Sequence, residues 1–226
     1  MIIINDLSKY YGLKQVLKGI SLTFESGKIY GVVGENGAGK TTFFRCLADL
    51  EKHEGTIQSD FGVLRNHLGF LFTNPFFFRM ITGREYIQLL CNARDIIISD
   101  MDSRNIFDLP LDQYASTYST GMKKKLALTA ILFQENDYFI LDEPFNGVDI
   151  QSNIIITEII RRLKNMGKTI IISSHIFSTL SSTCDEIYLL KEGTIIRKVL
   201  PNEFESLESE MKAVTIGSRI DDLGLK

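Results

Sequence analysis

Eight residues, Gly34-Glu35-Asn36-Gly37-Ala38-Gly39-Lys40-Thr41, constrain this chain more than any other stretch. They fit G-x-x-x-x-G-K-[ST] at every required position. Ile29-Tyr30-Gly31-Val32-Val33 before them is a short apolar run with the composition of a buried strand. Residues 42–50 after them hold no Pro or Gly and read as a helix. Strand, glycine-rich loop and helix in that order make a phosphate-binding turn. Glycine takes backbone angles that other residues resist, so successive N–H groups converge on an anion. The helix N-terminus behind the loop adds about half a positive charge. Lys40 then reaches the outer phosphates of a nucleotide, the Thr41 hydroxyl ligates Mg²⁺, and Thr42 completes the candidate set.

The rest of the chain bounds what surrounds that turn. Its 226 residues suffice for one large domain, or a domain with an inserted lobe. A hydrophobic share of 44% and a charged share of 23% are those of a soluble globular protein. The net charge of −3 gives no reason to expect nucleic acid or anionic lipid as the main partner. No apolar run approaches the roughly 20 residues of a membrane helix. The N-terminus lacks the basic start and long apolar core of a signal peptide. Cys46, Cys91 and Cys184 are odd in number, far apart and without metal-ligand spacing. They predict reduced thiols, packed as small hydrophobes in a cytoplasmic protein.

In chain order, residues 2–4 predict a strand, 7–12 a turn and 16–24 one or two further strands, so antiparallel strands precede a parallel α/β core. Tyr10 and Tyr11, just upstream of that core, either stack on a nucleotide base or pack half-buried. Residues 55–57 and 61–63 predict a small hairpin, and 68–72 a second buried strand. Phe76, Phe77 and Phe78 follow Asn74-Pro75, in a loop that either folds into the core or presents an apolar patch to a partner. Thr82-Gly83-Arg84-Glu85 is a capping box that opens a helix. Residues 73–118 as a whole predict a mostly helical insert. Ser119 caps the next helix, through Phe133, and makes its N-terminus a second potential anion site. Lys123, Lys124 and Lys125 read as a solvated face of that helix.

Residues 137–141 are an apolar strand that ends in Asp142 and Glu143. Ligands sit at the carboxyl ends of parallel strands. Asp142 would therefore hold Mg²⁺ through water, and Glu143 would orient and deprotonate an attacking water. A helix over 150–166, a buried strand over 168–174 and a hairpin around Gly193 complete the core. His175, at the end of that strand, is either structural or a contact to a γ-phosphate. The acidic, amphipathic tail over 201–226 is too short for another domain.

The ordered set resembles the nucleotide-binding subunit of ABC transporters, over residues 1 to about 200. The phosphate loop, Tyr118-Ser119-Thr120-Gly121-Met122, Ile140-Leu141-Asp142-Glu143-Pro144, Gly147-Val148-Asp149 and Ser174-His175 appear in the family's order. The fold this implies is α/β: a P-loop NTPase core with an N-terminal antiparallel β subdomain and a short helical signature subdomain. The resemblance implies that Tyr11 stacks on adenine and that Gly34, Glu35, Asn36, Gly37, Ala38, Gly39, Lys40, Thr41 and Thr42 hold the phosphates of ATP. It implies Thr41 and Asp142 for Mg²⁺, Glu143 as catalytic base and His175 as the switch on the γ-phosphate. Ser119 and Gly121 of one copy would close over the γ-phosphate held by another, with Asp149 at the seam, so that ATP joins a two-fold dimer. The insert and the loop after residue 72 match the surface that engages a separate transmembrane permease. The expected partners are that permease and a second ATPase subunit, at the cytoplasmic face of the cell membrane.

Three departures from the family pattern stand out. Tyr118, Thr120 and Met122 replace the first, third and fifth residues of Leu-Ser-Gly-Gly-Gln, and the Ser-x-Gly-Met-Lys form resembles exporters with small separate subunits. Thr73 stands where the family has a Gln that touches Mg²⁺; it is shorter and has no amide, which leaves its metal role open. Ser119 follows Lys40 by 79 residues, short for the family, so a trimmed helical lobe is expected. The rival reading is a non-transport ABC ATPase acting as a mechanical or regulatory module. Ribosome-acting members usually carry two such domains in one chain and DNA-acting members a long coiled coil, and this sequence shows neither. A P-loop kinase would leave residues 119–122 and His175 unexplained.

Overall fold

The computed structural model describes residues 1–174 and 177–209. Apolar pentads build its central sheet. β3 (Ile29–Val33), β6 (Tyr138–Asp142) and β7 (Thr169–Ser173) are buried at every position, as strands covered on both faces must be. With β5 (Leu68–Leu71), β8 (Glu186–Lys191) and β9 (Thr194–Val199) the order is β5-β6-β7-β3-β8-β9. Neighbours run parallel except β8 and β9, which form the expected hairpin. Alternation along each strand divides two cores. Tyr138, Ile140 and Ile171 face the layer that holds α1 (Lys40–Leu47), whereas Phe139, Leu141, Ile170 and Ile172 face α3 (Thr120–Phe133), α4 (Ile150–Asn165) and α5 (Phe177–Ser181).

A second, antiparallel sheet, β2-β1-β4, covers α1. Here the sequence reading needs two corrections. β1 runs over Ile2–Tyr11, through the residues expected to turn, and pairs with β2 (Lys14–Phe24). Its register shifts between Ile4 and Leu7, where Asp6 sits at φ 54°. Such a bulge breaks the period-two pattern by which a strand is recognised. Residues 55–57 belong to β4 (Glu54–Ser59), which pairs with β1 and not with residues 61–63. A lone two-stranded hairpin is marginal in water, and the open edge of β1 offers a third strand.

The insert over 73–118 is not mostly helical. It holds α2 (Gly83–Asn92), opened by the predicted capping box, and one 3-10 turn at Ala115–Thr117. Asp95, Asp100 and Asp108 adopt left-handed φ, the turn chemistry of short acidic residues. Side chains then fasten the turns. Arg84 donates to Asp112 (2.7 Å) and Asp102 (2.8 Å), Asn105 bonds both ways with the backbone of Leu109, and the Tyr118 hydroxyl donates to the Pro110 carbonyl (2.7 Å). The phenylalanine loop is divided between core and surface. Phe77 packs on the core beside Tyr86, while Phe76 and Phe78 are 73% and 58% exposed. The three lysines of α3 are not a solvated face: Lys124 is buried. All three cysteines are buried and unpaired.

Candidate functional site

Strand register assembles the site. Leu71 lies beside Leu141, Asp142 beside Ser173, and Ser173 beside Val32. The carboxyl ends of β5, β6, β7 and β3 therefore open on one edge, the place where parallel sheets bind ligands. The chain leaves that edge as Thr73, as Glu143 and as the loop that starts at Gly34.

Two glycines shape the loop for different reasons. Gly39 caps α1 at φ 110°, a conformation that side chains disfavour. Gly34 is required by space: a Cβ there would stand 2.3 Å from the Leu190 carbonyl oxygen on β8. The Gly193 N–H donates to the Ala38 carbonyl (3.0 Å) and fastens the loop to the β8–β9 hairpin. Lys40 is buried and turns its ammonium into the loop, donating to the carbonyl oxygens of Gly34 (2.6 Å) and Glu35 (3.2 Å).

Asp142 is 1% exposed. Thr41 and Thr73 both donate their hydroxyls to its Oδ2 (2.8 and 2.7 Å), and the Ser173 hydroxyl donates to its Oδ1 (2.5 Å). Among the described residues no lysine or arginine pairs with this carboxylate. Hydroxyls bond this buried carboxylate directly, and the charge of Lys124 acts on it only through space. Two hydroxyls and a carboxylate are a hard, all-oxygen set that suits Mg²⁺. The structure thus brings Thr73 to the same oxygen as Thr41. Glu143 follows at φ 54°, and its N–H donates to Ser173 Oγ (3.0 Å). One hydroxyl so holds both acidic residues. Sequence reasoning missed Ser173, because a serine at a strand end carries no signal until register sets it beside Asp142.

A cleft of about 250 Å³ lies over these groups, lined by Asn36, Gly37 and Gly39–Thr42 of the loop, with Val16, Thr73, Asp142 and Glu143. Tyr11 does not line it. That residue ends β1, 44% exposed, with the Lys9 ammonium 4.6 Å from its ring centroid; β2, its hairpin partner, carries Val16 into the cleft. Ser119, Gly121 and Asp149 also lie outside the cleft lining. Ser119 caps α3 by accepting the Met122 N–H (3.2 Å). Asp149 caps α4, and the Ser152 N–H and hydroxyl (2.8 Å each), helped by Lys125 (3.2 Å), hold its carboxyl well below the usual range. His175 falls outside the described residues.

A parallel sheet whose carboxyl edge carries a phosphate loop, an acidic strand end and paired hydroxyls defines a P-loop nucleotide-binding protein. The family described as ABC transporter matches residues 17–146, and the chain belongs to it, as an ATP-binding subunit and an ATPase. It is 33% identical to the ABC transporter ATP-binding protein NatA of Bacillus subtilis, over 93% of this chain and 94% of that protein. It is 31% identical to the bacitracin transport ATP-binding protein BcrA of Enterococcus faecalis, over 86% of this chain and 67% of that protein. In fold it is similar to the ATP-binding cassette MJ0796, solved as a dimer in a post-hydrolysis state with ADP and Pi. The TM-score is 0.80 at 20% identity, over 89% of this chain and 99% of that one.

Proposed function

We propose that this chain is the Mg²⁺-dependent ATPase of an exporter whose membrane path lies on a separate permease chain, and that it works by ATP-driven closure of two copies. One observation carries the reading: the hydroxyls of Thr41 and Thr73 converge on Asp142 beside a loop whose lysine already points inward. On this reading residues 1–200 form the ATP-binding unit. Lys40 leaves the Gly34 and Glu35 carbonyls for the β- and γ-phosphates, a charge-assisted exchange. Thr41, Asp142 and Thr73 would hold Mg²⁺, which would supply neutralising charge for the phosphates. Glu143 orients the attacking water and takes its proton. Tyr11 stacks on adenine from the hairpin rim.

The place of Ser119, Gly121 and Asp149 outside the cleft supports a role toward the ATP of a second copy. The capped N-terminus of α3 is suited to an anion brought from outside. Exposed Phe76 and Phe78 beside α2 supply the apolar surface for the permease. Among the described residues no helix is long and apolar enough to cross a membrane. On this reading the subunit docks to the permease on the cytoplasmic face. Export as the direction rests on the Ser-x-Gly-Met-Lys signature.

Mass measurement by size-exclusion light scattering on Glu143→Gln tests the reading. Hydrolysis falls by about 10²–10⁴-fold, and Mg²⁺-ATP converts monomer to dimer. A monomer that binds ATP and stays monomeric overturns the two-copy closure, and undiminished hydrolysis overturns Glu143 as base.

A further inference from the structure

Helix α3 carries a lysine that the reaction as described does not use. Lys124 is 2% exposed. Its ammonium donates to the carbonyl oxygens of Glu143 (2.7 Å) and Asn146 (2.9 Å). These two residues open and close one turn, whose own bond runs from the Asn146 N–H to the Glu143 carbonyl (3.2 Å). Burial pushes the ammonium's pKa down, and the nearby carboxylates of Glu143 and Asp142 only partly oppose this. A buried charge spent on two neutral carbonyls is a costly way to fill space, and an apolar side chain would do that more cheaply. What the ammonium supplies is a fixed position for a turn that begins on a left-handed residue.

We propose that Lys124 is a positioning residue for hydrolysis: from helix α3 it holds the Glu143 carbonyl and thereby sets the pose of the Glu143 carboxylate. With Ser173 on the Glu143 N–H, both backbone groups of the base are held by side chains. The grip extends along the same helix. A Cβ on Gly121 would stand 2.8 Å from the Gly147 carbonyl oxygen, and Lys125 reaches Asp149 (3.2 Å) and Ser152 (3.1 Å). The helix that presents Ser119 to one site and the turn that presents Glu143 to the other therefore form one block. A shift of α3 on dimer closure is carried into the pose of the base in its own chain.

The inference rests on the assignment of Glu143 as base, and a double-mutant cycle separates the two. Lys124→Met keeps the apolar stem and removes the donors. It is expected to lower kcat by about 10–100-fold, the scale of a misplaced catalytic group, with the KM for ATP within about threefold. In the Glu143→Gln background the same substitution is expected to change kcat by less than about twofold, because residues that act as a unit do not add. Equal losses in both backgrounds, or an unchanged kcat for Lys124→Met alone, overturn the role of Lys124. Undiminished hydrolysis by Glu143→Gln alone overturns the base, and the inference with it. Should Lys124→Met fail to fold, Lys124→Gln, which retains an N–H donor without the charge, is read through the same cycle.

Discussion

Ser173→Ala isolates the hydroxyl at the centre of the site. The side chain is fully buried, donates to Asp142 Oδ1 at 2.5 Å and accepts the Glu143 N–H at 3.0 Å. Removing it strands two polar groups at once, at about 1–3 kcal/mol for each. The expected loss is about 2–6 kcal/mol, with the lower figure where water from the cleft reaches the freed groups. For a chain of this length each kcal/mol moves Tm by about 2–4 °C, so Tm falls by about 4–24 °C. The same change frees the backbone of Glu143 at its N–H, so kcat falls while ATP binding through the loop is kept. Calorimetry and steady-state hydrolysis on one preparation give both numbers. A Tm within 1 °C of the parent, with kcat unchanged, would refute the view that one hydroxyl organises the two carboxylates.

Lys40→Ala removes the charge-assisted contact to phosphate and is expected to weaken ATP binding by about 10–150-fold, measured by calorimetric titration; unchanged affinity refutes the assignment. Acid stability should follow two carboxyls at the far end of the sheet. Burial raises the pKa of Asp137, but Lys168 and His67 outweigh it and hold it below 3.8; burial likewise opposes, and Lys198 and Lys28 overcome it, to hold Glu186 below 4.5. A depressed folded pKa gives stability that is complete above the unfolded value and is lost as pH falls through the folded one. Unfolding therefore sets in below about pH 4.5, and Lys168→Met shifts the acid midpoint upward in a circular-dichroism titration; an unmoved midpoint refutes the pairing.

What could be read from the sequence was whatever is encoded locally. The buried strands announce themselves because both faces are apolar, and the phosphate loop because its glycines and lysine are contiguous. The capping box at Thr82 and the cap at Ser119 are four-residue signals, and both helices start where these place them. Long-range register was not legible. Nothing in the chain order says that Asp142 lies beside Ser173, or that Thr73, two residues past β5, reaches the same carboxylate as Thr41. The burial of Lys124 was hidden for the same reason, since only the turn over 143–146 gives its charge a partner. Tyr118 reads as a defect in the signature until the insert is folded. Its hydroxyl then closes the Pro110 turn and leaves room only for glycine at position 83, where a Cβ would stand 2.7 Å away.

Thr73 gains its meaning from the loop that carries it. One end of that loop is bonded to Asp142 through the Thr73 hydroxyl, at 2.7 Å. Phe76 and Phe78, three and five residues on, stand on the surface, and three extended residues reach at most about 10 Å. On the proposed function the permease meets this chain at those rings. A displacement there has only Asn74 and Pro75 to cross before it pulls on the group that bonds Asp142, and Pro75 fixes one of the intervening dihedrals. A glutamine in place of Thr73 would reach the carboxylate through a longer side chain with more freedom to absorb the movement. The threonine shortens that tether to one rotatable bond before the hydroxyl. In a chain whose insert is held by side-chain ties instead of long helices, a short, stiff connection between the docking surface and Asp142 is the arrangement that keeps binding of the partner and chemistry in step.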